Sequence, residues 1–444
     1  ETVFVFPFNH KDKTTQECYM DIEGKLKSLS HPILFLSNLR DISYEIENTV
    51  GLYGKEVLET IEYEDNMIAE KIHLMQNFDN DIIDKYLWMF TRCYNGLKYS
   101  VGFFIDENNH LVPVNEPAFC YFPTKETTGL KFLIHAPFLL TDSREGIRSG
   151  VPHNNKLIEL LAEMSGLALL HLRDIGESNS VKIIDDNIFS IIPYNEDDFC
   201  DLDDTSKVSF MPFYIEINHI FKTEEIIPTR TGFTKAKNSY WAAVPYLSEL
   251  FTDEQLSEIC ANKNAHWAFV SLGRDEVQRN NKELFFYINE IVNTWLNEQH
   301  LIRGRFKNRY SKVKDINGIT ESFIENQSFE WLCALYKWLS ETSQRTELAK
   351  YAPIFLDQDS KATAAYFEDD ENEHLHIFLP SDVVFSCRTI REDFLKNRDG
   401  LKFIKKIGIE QPSIRDEIFN VIIPQYKNDG DIDVYKHFCI FFKY

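Results

Sequence analysis

At 444 residues, with 43% hydrophobic and 26% charged positions, the chain has the composition of an ordinary globular protein, long enough for about two to four domains. Its net charge of −23, from 70 acidic against 47 basic residues, disfavours non-specific DNA or RNA binding and attachment to an anionic membrane surface. The eight cysteines are scattered without a CxxC pair, which argues against a zinc ribbon or a stapled secreted domain and fits reduced thiols in a cytoplasmic protein; no apolar run approaches the ~18 residues of a membrane span.

In chain order, Thr2-Val3-Phe4-Val5-Phe6-Pro7-Phe8 reads as a strand that is apolar at nearly every position. A strand of this kind cannot bury itself alone, so the chain is expected to be the downstream part of a longer polypeptide. His10 to Gln16 reads as a linker, and Cys18 to Leu39 has helical spacing at Ile22, Leu26 and Leu29 before Pro32 and an apolar Ile33-Leu34-Phe35-Leu36. Glu56 to Tyr63 and Met67 to Met75 are predicted as paired strands around Glu64-Asp65-Asn66. Ile82 to Cys93 is predicted as a helix, Tyr99 to Asp106 as a strand ending at Glu107-Asn108-Asn109. Ala118 to Pro123 and Phe132 to Leu140 complete a mostly antiparallel sheet, and Leu157 to Leu172 forms a long amphipathic helix.

The acidic stretch 195–207 is expected to separate units, and Ile226 to Gly232 to open the next one. Tyr240 to Ile302 reads as largely helical, Phe329 to Glu347 as another helix. A hairpin is expected around Phe367 to Asn372, between Ala352–Leu356 and Leu375–Leu379, and Leu401 to Tyr426 closes through Gly408, Ile409 and Pro412. The fold class expected is therefore α+β and multidomain: an α/β domain at 14–178, a connecting segment at 179–234, a mainly helical domain at 235–348 and a small α/β domain at 349–444.

No Walker-type phosphate loop, dinucleotide-binding glycine motif or nucleophile elbow occurs. His374 and His376 share one side of a strand but have no third ligand at metal spacing, and the acidic loop 197–204 lacks the glycine of a calcium-binding turn. Leu301 to Asp315 is a local basic run with interleaved Phe306 and Tyr310, which makes Arg303, Arg305 and Arg309 candidate nucleic-acid contacts or partners of an acidic neighbour. The most informative stretch is Phe122 to Ile147. It holds Lys125 in a Gly-containing turn with Gly129, then an apolar strand, then a break into Thr141-Asp142-Ser143-Arg144-Glu145. A cation just past a buried strand can present charge to a phosphate. The spacing leaves a second reading open for each: Arg144 as a helix-start residue paired with Glu145 or Asp142, and Lys125 as a solvated turn lysine.

Phe138-Leu139-Leu140-Thr141-Asp142-Ser143-Arg144-Glu145 resembles the Leu-x-x-Ser-Arg-Glu step in the middle domain of heat-shock chaperones of the GHKL ATPase superfamily. Phe122-Pro123-Thr124-Lys125, Ile227-Pro228-Thr229 and Ile404-x-x-Ile407-Gly408-Ile409-x-x-Pro412 resemble phrases of large sacsin-like ATPases of the same superfamily. The likeness is fullest over residues 1–175. It implies that residues 1–13 hold the last strand of an ATP-binding domain and a linker, that 14–178 is transducer-like, and that Arg144 reaches the γ-phosphate of ATP held by the preceding domain. Lys125 falls near the position of a phosphate-sensing lysine in related transducer domains. The superfamily's ATP-site Asn helix, Asp-x-Gly-x-Gly loop and Gly-rich lid are missing from these 444 residues. ATP and Mg²⁺ are accordingly expected in the full-length parent only, with none bound by this chain alone. The partners implied are the upstream ATP-binding domain and a client or partner protein. Two rival functions are a nucleic-acid-handling module of a bacterial defence or repair ATPase, and an interaction scaffold without nucleotide coupling.

Overall fold

The computed structural model describes residues 11–29, 31–36, 38–46, 49–78, 81–199, 208–303, 316–369, 372–381, 386–426 and 432–442. The opening segment 1–10 lies outside the described residues. The architecture is α+β, in two compact units: residues 1–228 with 282–291, and residues 229–281 with 292–444. The first unit continues past residue 178 and takes in a helical segment from later in the chain. The change of unit falls at 228/229, inside the Ile226–Gly232 stretch.

The first unit is built on one sheet. Strands β1 (Asp41–Ile46), β2 (Thr49–Glu62), β3 (Ile68–Phe78), β4 (Asp81–Tyr94) and β5 (Leu97–Ile105) form an antiparallel meander, and β6 (Leu111–Val112) pairs with β5. Strands β7 (Pro117–Cys120), β8 (Phe122–Thr127) and β9 (Leu133–His135) continue it in the order β5-β9-β7-β8. The paired strands expected on either side of Glu64–Asn66 are β2 and β3, joined by a turn in which Asn66 takes φ 62°.

The expected helix at Ile82–Cys93 is instead β4, hydrogen-bonded to β3 on one side and β5 on the other. Leu87, Trp88, Met89 and Phe90 are all buried because the strand is central and covered on both faces. A continuous apolar run of that kind has no period with which to tell strand from helix. The expected strand Phe132–Leu140 shortens to β9, and the segment after it becomes loop.

Helix α1 (Thr15–Lys27) forms behind a Thr14–Glu17 capping box, with none of its own residues buried. Helix α2 (Pro152–Asn179) starts on Pro152, whose missing N–H costs nothing at a helix N-terminus. It buries Leu157, Ile158, Leu161, Met164, Ala168, Leu169 and Leu172, and full burial contributes roughly 1.5–3 kcal/mol for each large side chain. Helix α3 (Met211–Thr223) approaches α2 at Gly166, where an added Cβ would lie 2.8 Å from Ile220, so the helix contact depends on that glycine. The opposite core of the sheet gathers Leu34, Ile72, Leu74, Leu87, Met89, Phe104, Phe119 and Leu133.

The second unit is less helical than its sequence suggests. Ser239–Ala242, His266–Ala268 and Thr294–Leu296 are short parallel strands, with the first in the middle. The expected helix at Phe329–Glu347 is two helices, Phe329–Leu339 and Ser343–Lys350, the second capped by Thr342. A hairpin does surround the charged turn, but its arms are Tyr366–Asp369 and Asn372–Leu375 rather than Ala352–Leu356 and Leu375–Leu379; Phe355–Leu356 pairs instead with Ala362–Thr363. Helix Arg398–Ile407 ends on Gly408 at φ 90°, the left-handed cap that glycine adopts without steric cost. No helix among the described residues is long and apolar enough to cross a membrane.

Candidate functional site

The Phe122–Ile147 stretch folds in the first unit as β8, a turn, β9 and a closed loop. Leu140 and Ile147 pair as an isolated antiparallel bridge, which brings the loop ends together. Inside it, Thr141 N donates to Gly146 O at 2.9 Å, Arg144 N to Thr141 O at 2.9 Å, and Gly146 N to Thr141 Oγ1 at 3.2 Å. Arg144 sits at φ 60°, a left-handed conformation that costs a side-chain-bearing residue about 1–2 kcal/mol. The loop's hydrogen bonds hold it there.

Asn154, fully buried in the first turn of α2, fixes the root of the loop. Its Oδ1 accepts from Leu139 N at 2.8 Å, and its Nδ2 donates to Leu139 O and Arg148 O, each at 2.9 Å. One side chain thus bonds three backbone groups on the two legs of the loop, and its own burial would be costly without those partners.

The charges around the loop pair off in a definite pattern. Lys125 Nζ meets Glu145 Oε1 at 2.6 Å, and Lys125 N donates to Glu145 O at 2.6 Å. Arg148 meets Asp142 at 2.6 Å, and Glu126 Oε2 accepts from Ile147 N at 3.2 Å. Arg144 is exposed, and among the described residues no carboxylate pairs with it. The alternative of a helix-start arginine paired with Glu145 or Asp142 does not hold: both carboxylates are engaged elsewhere, and the helix begins only at Pro152. Lys125 lies on β8 rather than in a glycine turn, and its ammonium is already matched by Glu145.

Beside the loop lies a cleft of about 620 Å³, lined by Cys120, Phe122, Thr124, Leu140, Asp142 and Arg144. Burial pushes the Cys120 thiol up, so it stays protonated at neutral pH and is a poor nucleophile. The chemistry on offer is the guanidinium: a rigid, permanently charged fork of N–H donors that fits a phosphate or carboxylate through two hydrogen bonds. Lys125 and Arg144 are therefore brought to one loop, but only Arg144 has a charge left over.

The other candidates do not join them. Arg303 ends the helix Glu298–Arg303 in the second unit, exposed, with its guanidinium 5.3 Å from the Tyr351 ring centroid. Arg305 and Arg309 lie outside the described residues. His376 packs edge-on against Phe367 at 4.2 Å, and the described residues contain no group of His, Cys, Asp and Glu able to hold a metal ion. The described cysteines are free thiols.

Sequence reasoning missed Asn154 and the Lys125–Glu145 pair. An asparagine two residues after Pro152 carries no recognisable motif, and the pair joins positions from separate elements; only the burial of one and the proximity of the other identify them. No protein-family model, curated protein or solved structure matches this chain, so the functional reading rests on the residues themselves.

Proposed function

We propose that this chain is the transducer and partner-binding portion of a GHKL-type, cytoplasmic ATPase, and that Arg144 senses the γ-phosphate of ATP held by a domain preceding it in the same polypeptide. The observation that carries the reading is the exposed Arg144 guanidinium, without a carboxylate partner among the described residues, on a loop pinned by a buried asparagine. Charge left unmatched at such a backbone position is what a phosphate-sensing arginine requires. The residues fit one phosphate group and no more, because Lys125 is matched by Glu145. ATP and Mg²⁺ supply the phosphoryl group and its counter-charge from the preceding domain. Arg144 donates N–H bonds to the phosphate oxygens, neutralises charge that develops on them and ties its loop to the nucleotide. Because Asn154 joins that loop to α2, engagement of Arg144 pulls on the longest helix of the unit, which is a route for relaying nucleotide state to a client or partner protein. In the second unit, the helix Val434–Phe441 supports the partner-binding half. It exposes Tyr435 and Phe438, and Phe442 lies just beyond it, an apolar patch of the kind that marks interaction surfaces.

The test is ATP turnover by the polypeptide that carries the ATP-binding domain ahead of this region. Arg144→Ala should lower it by about three to five orders of magnitude, equivalent to roughly 4–7 kcal/mol at the transition state. Arg144→Lys, which keeps the charge and loses the fork, should recover only part of that. Turnover by Arg144→Ala within about twofold of wild type would reduce Arg144 to a surface residue and remove the proposal. The 444-residue chain alone should give no heat of binding with ATP and Mg²⁺ in calorimetry.

A further inference from the structure

We propose that Lys125 is a positioning residue for Arg144: by holding Glu145, it keeps the neighbouring carboxylate from neutralising the arginine. For its consequence in catalysis this rests on the phosphate-sensing reading; the partition of charge itself does not. The loop carries the acids Asp142 and Glu145 on either side of Arg144. Each is drawn away by a cation from outside the 141–146 loop, Asp142 by Arg148 and Glu145 by Lys125, both at 2.6 Å. Lys125 is held in register for this by its own backbone, since Lys125 N donates to Glu145 O at 2.6 Å. The lysine side chain is 74% exposed and its partner 52%, so the pair is a weak latch set in solvent rather than a structural support. With the lysine removed, the Glu145 carboxylate loses its ion-pair partner. Arg148 is held by Asp142, so Arg144, next to Glu145 in the chain, is the cation it turns to, and Arg144 changes from a donor available to a ligand into a member of an internal pair. This assigns Lys125 a role distinct from touching phosphate itself. A lysine that touches phosphate cannot be replaced by removing a carboxylate, whereas a lysine that occupies Glu145 can.

The rate at which phenylglyoxal modifies Arg144 in the 444-residue chain, followed by peptide mass spectrometry, reads the availability of the guanidinium without any nucleotide. In Lys125→Met the rate should fall about two- to fivefold at low salt, the range expected for one exposed ion pair, and the difference should vanish near ~0.5 M salt. Lys125→Arg should keep the wild-type rate. The double variant Lys125→Met with Glu145→Gln should return to it. Equal rates in all four proteins at low salt would overturn the proposal, as would a loss in Lys125→Met that the second substitution fails to restore. Melting curves of the same proteins should superimpose, because neither side chain is buried. In the polypeptide with its ATP-binding domain, turnover should follow the same order of variants. If modification follows this order while turnover ignores it, the charge partition stands and the phosphate-sensing reading fails.

Discussion

Two loops of this protein are each held by one buried polar side chain, and they dispose of their charges in opposite ways. In the second unit, Asp357 is 2% exposed, and its Oδ1 accepts from Asp359 N at 2.9 Å and Lys361 N at 2.8 Å. The ionic groups around it close on one another: Lys361 on Glu325 at 3.2 Å, Arg391 on Asp393 at 2.8 Å, with Arg391 also over the Phe394 ring at 5.0 Å. In the first unit, Asn154 pins residues 139–148 as firmly, the flanking acids are paired, and Arg144 is left over. A turn that serves only the fold has no reason to hold an unmatched cation in left-handed backbone. Departures from local consistency of this kind concentrate where a ligand or partner supplies the missing contact.

Arg144→Ala is the sharpest way to test that contrast, since it should remove three or more decades of turnover while changing stability by no more than about 0.5 kcal/mol, as is usual for an exposed side chain. Next in size is the pair Asn154→Ala and Asp357→Ala. Each strips a buried acceptor from backbone N–H groups, and Asn154→Ala also takes the side-chain donor from Arg148 O and one of the two donors from Leu139 O, which keeps Arg148 N at 3.0 Å. Both should cost about 2–4 kcal/mol. Because the chain has two units, hydrogen exchange in each is a better measure than a single melting temperature. Asn154→Ala should raise exchange across residues 139–148 and lower turnover; Asp357→Ala should raise exchange across 357–361 and leave turnover within about twofold. If both variants lowered turnover alike, the two loops would not differ in function.

How much of this was legible in the sequence follows from where each signal resides. The α+β class, the β2–β3 pairing and helix α2 were readable because their apolar periods and turn residues are local. The loop around Arg144 was readable for the same reason, as an abrupt polar break after Phe138-Leu139-Leu140. Strand β4 was misread because Leu87 to Phe90 are buried on both faces and alternation disappears. The small parallel sheet of the second unit was missed because its strands, such as Thr294–Leu296, are three or four residues long and embedded among helices. The charge state of the candidate site was not readable at all. Lys125 and Glu145 are joined by the fold, and a sequence does not say which acid a cation will meet.

Acid offers a further division of the two regions. Strand β9, which leads into the Arg144 loop, carries His135 at 3% exposure, stacked on Phe35 at 4.2 Å and edge-on to Tyr121 at 5.2 Å. Burial alone brings its pKa down to about 4. The ring is therefore neutral in the folded state and protonates more readily when unfolded, near pH 6.5. Stability from this residue is intact above about pH 6.5 and lost as pH falls toward 4, reaching about 3 kcal/mol by pH 4. His135→Phe keeps an aromatic ring against Phe35 and should flatten that part of the pH–stability curve. An unchanged slope between pH 6.5 and 4 in the variant would mean that His135 is not what makes this sheet acid-sensitive.

The smallest expected effect concerns Arg303, the described member of the basic run and the counterpart of Arg144 in the second unit. Both are exposed arginines, Arg144 within a loop and Arg303 at the end of a helix, but Arg303 lies over the Tyr351 ring, an arrangement worth about 0.5–1 kcal/mol at an exposed site. Arg303→Ala should destabilise the unit by that much or less. The chain as a whole carries −23, so a single arginine already resting on an aromatic face is a poor start for a phosphate-backbone contact. Duplex and single-stranded DNA titrated at physiological salt should show no sub-micromolar binding, and Arg303→Ala should leave the titration as it was. Charge reversal at Arg303, Arg305 and Arg309 together extends the test to the rest of the run. Sub-micromolar binding abolished by that triple change, with a salt slope reduced by about one per lost contact, would favour this segment over the role proposed for Arg144.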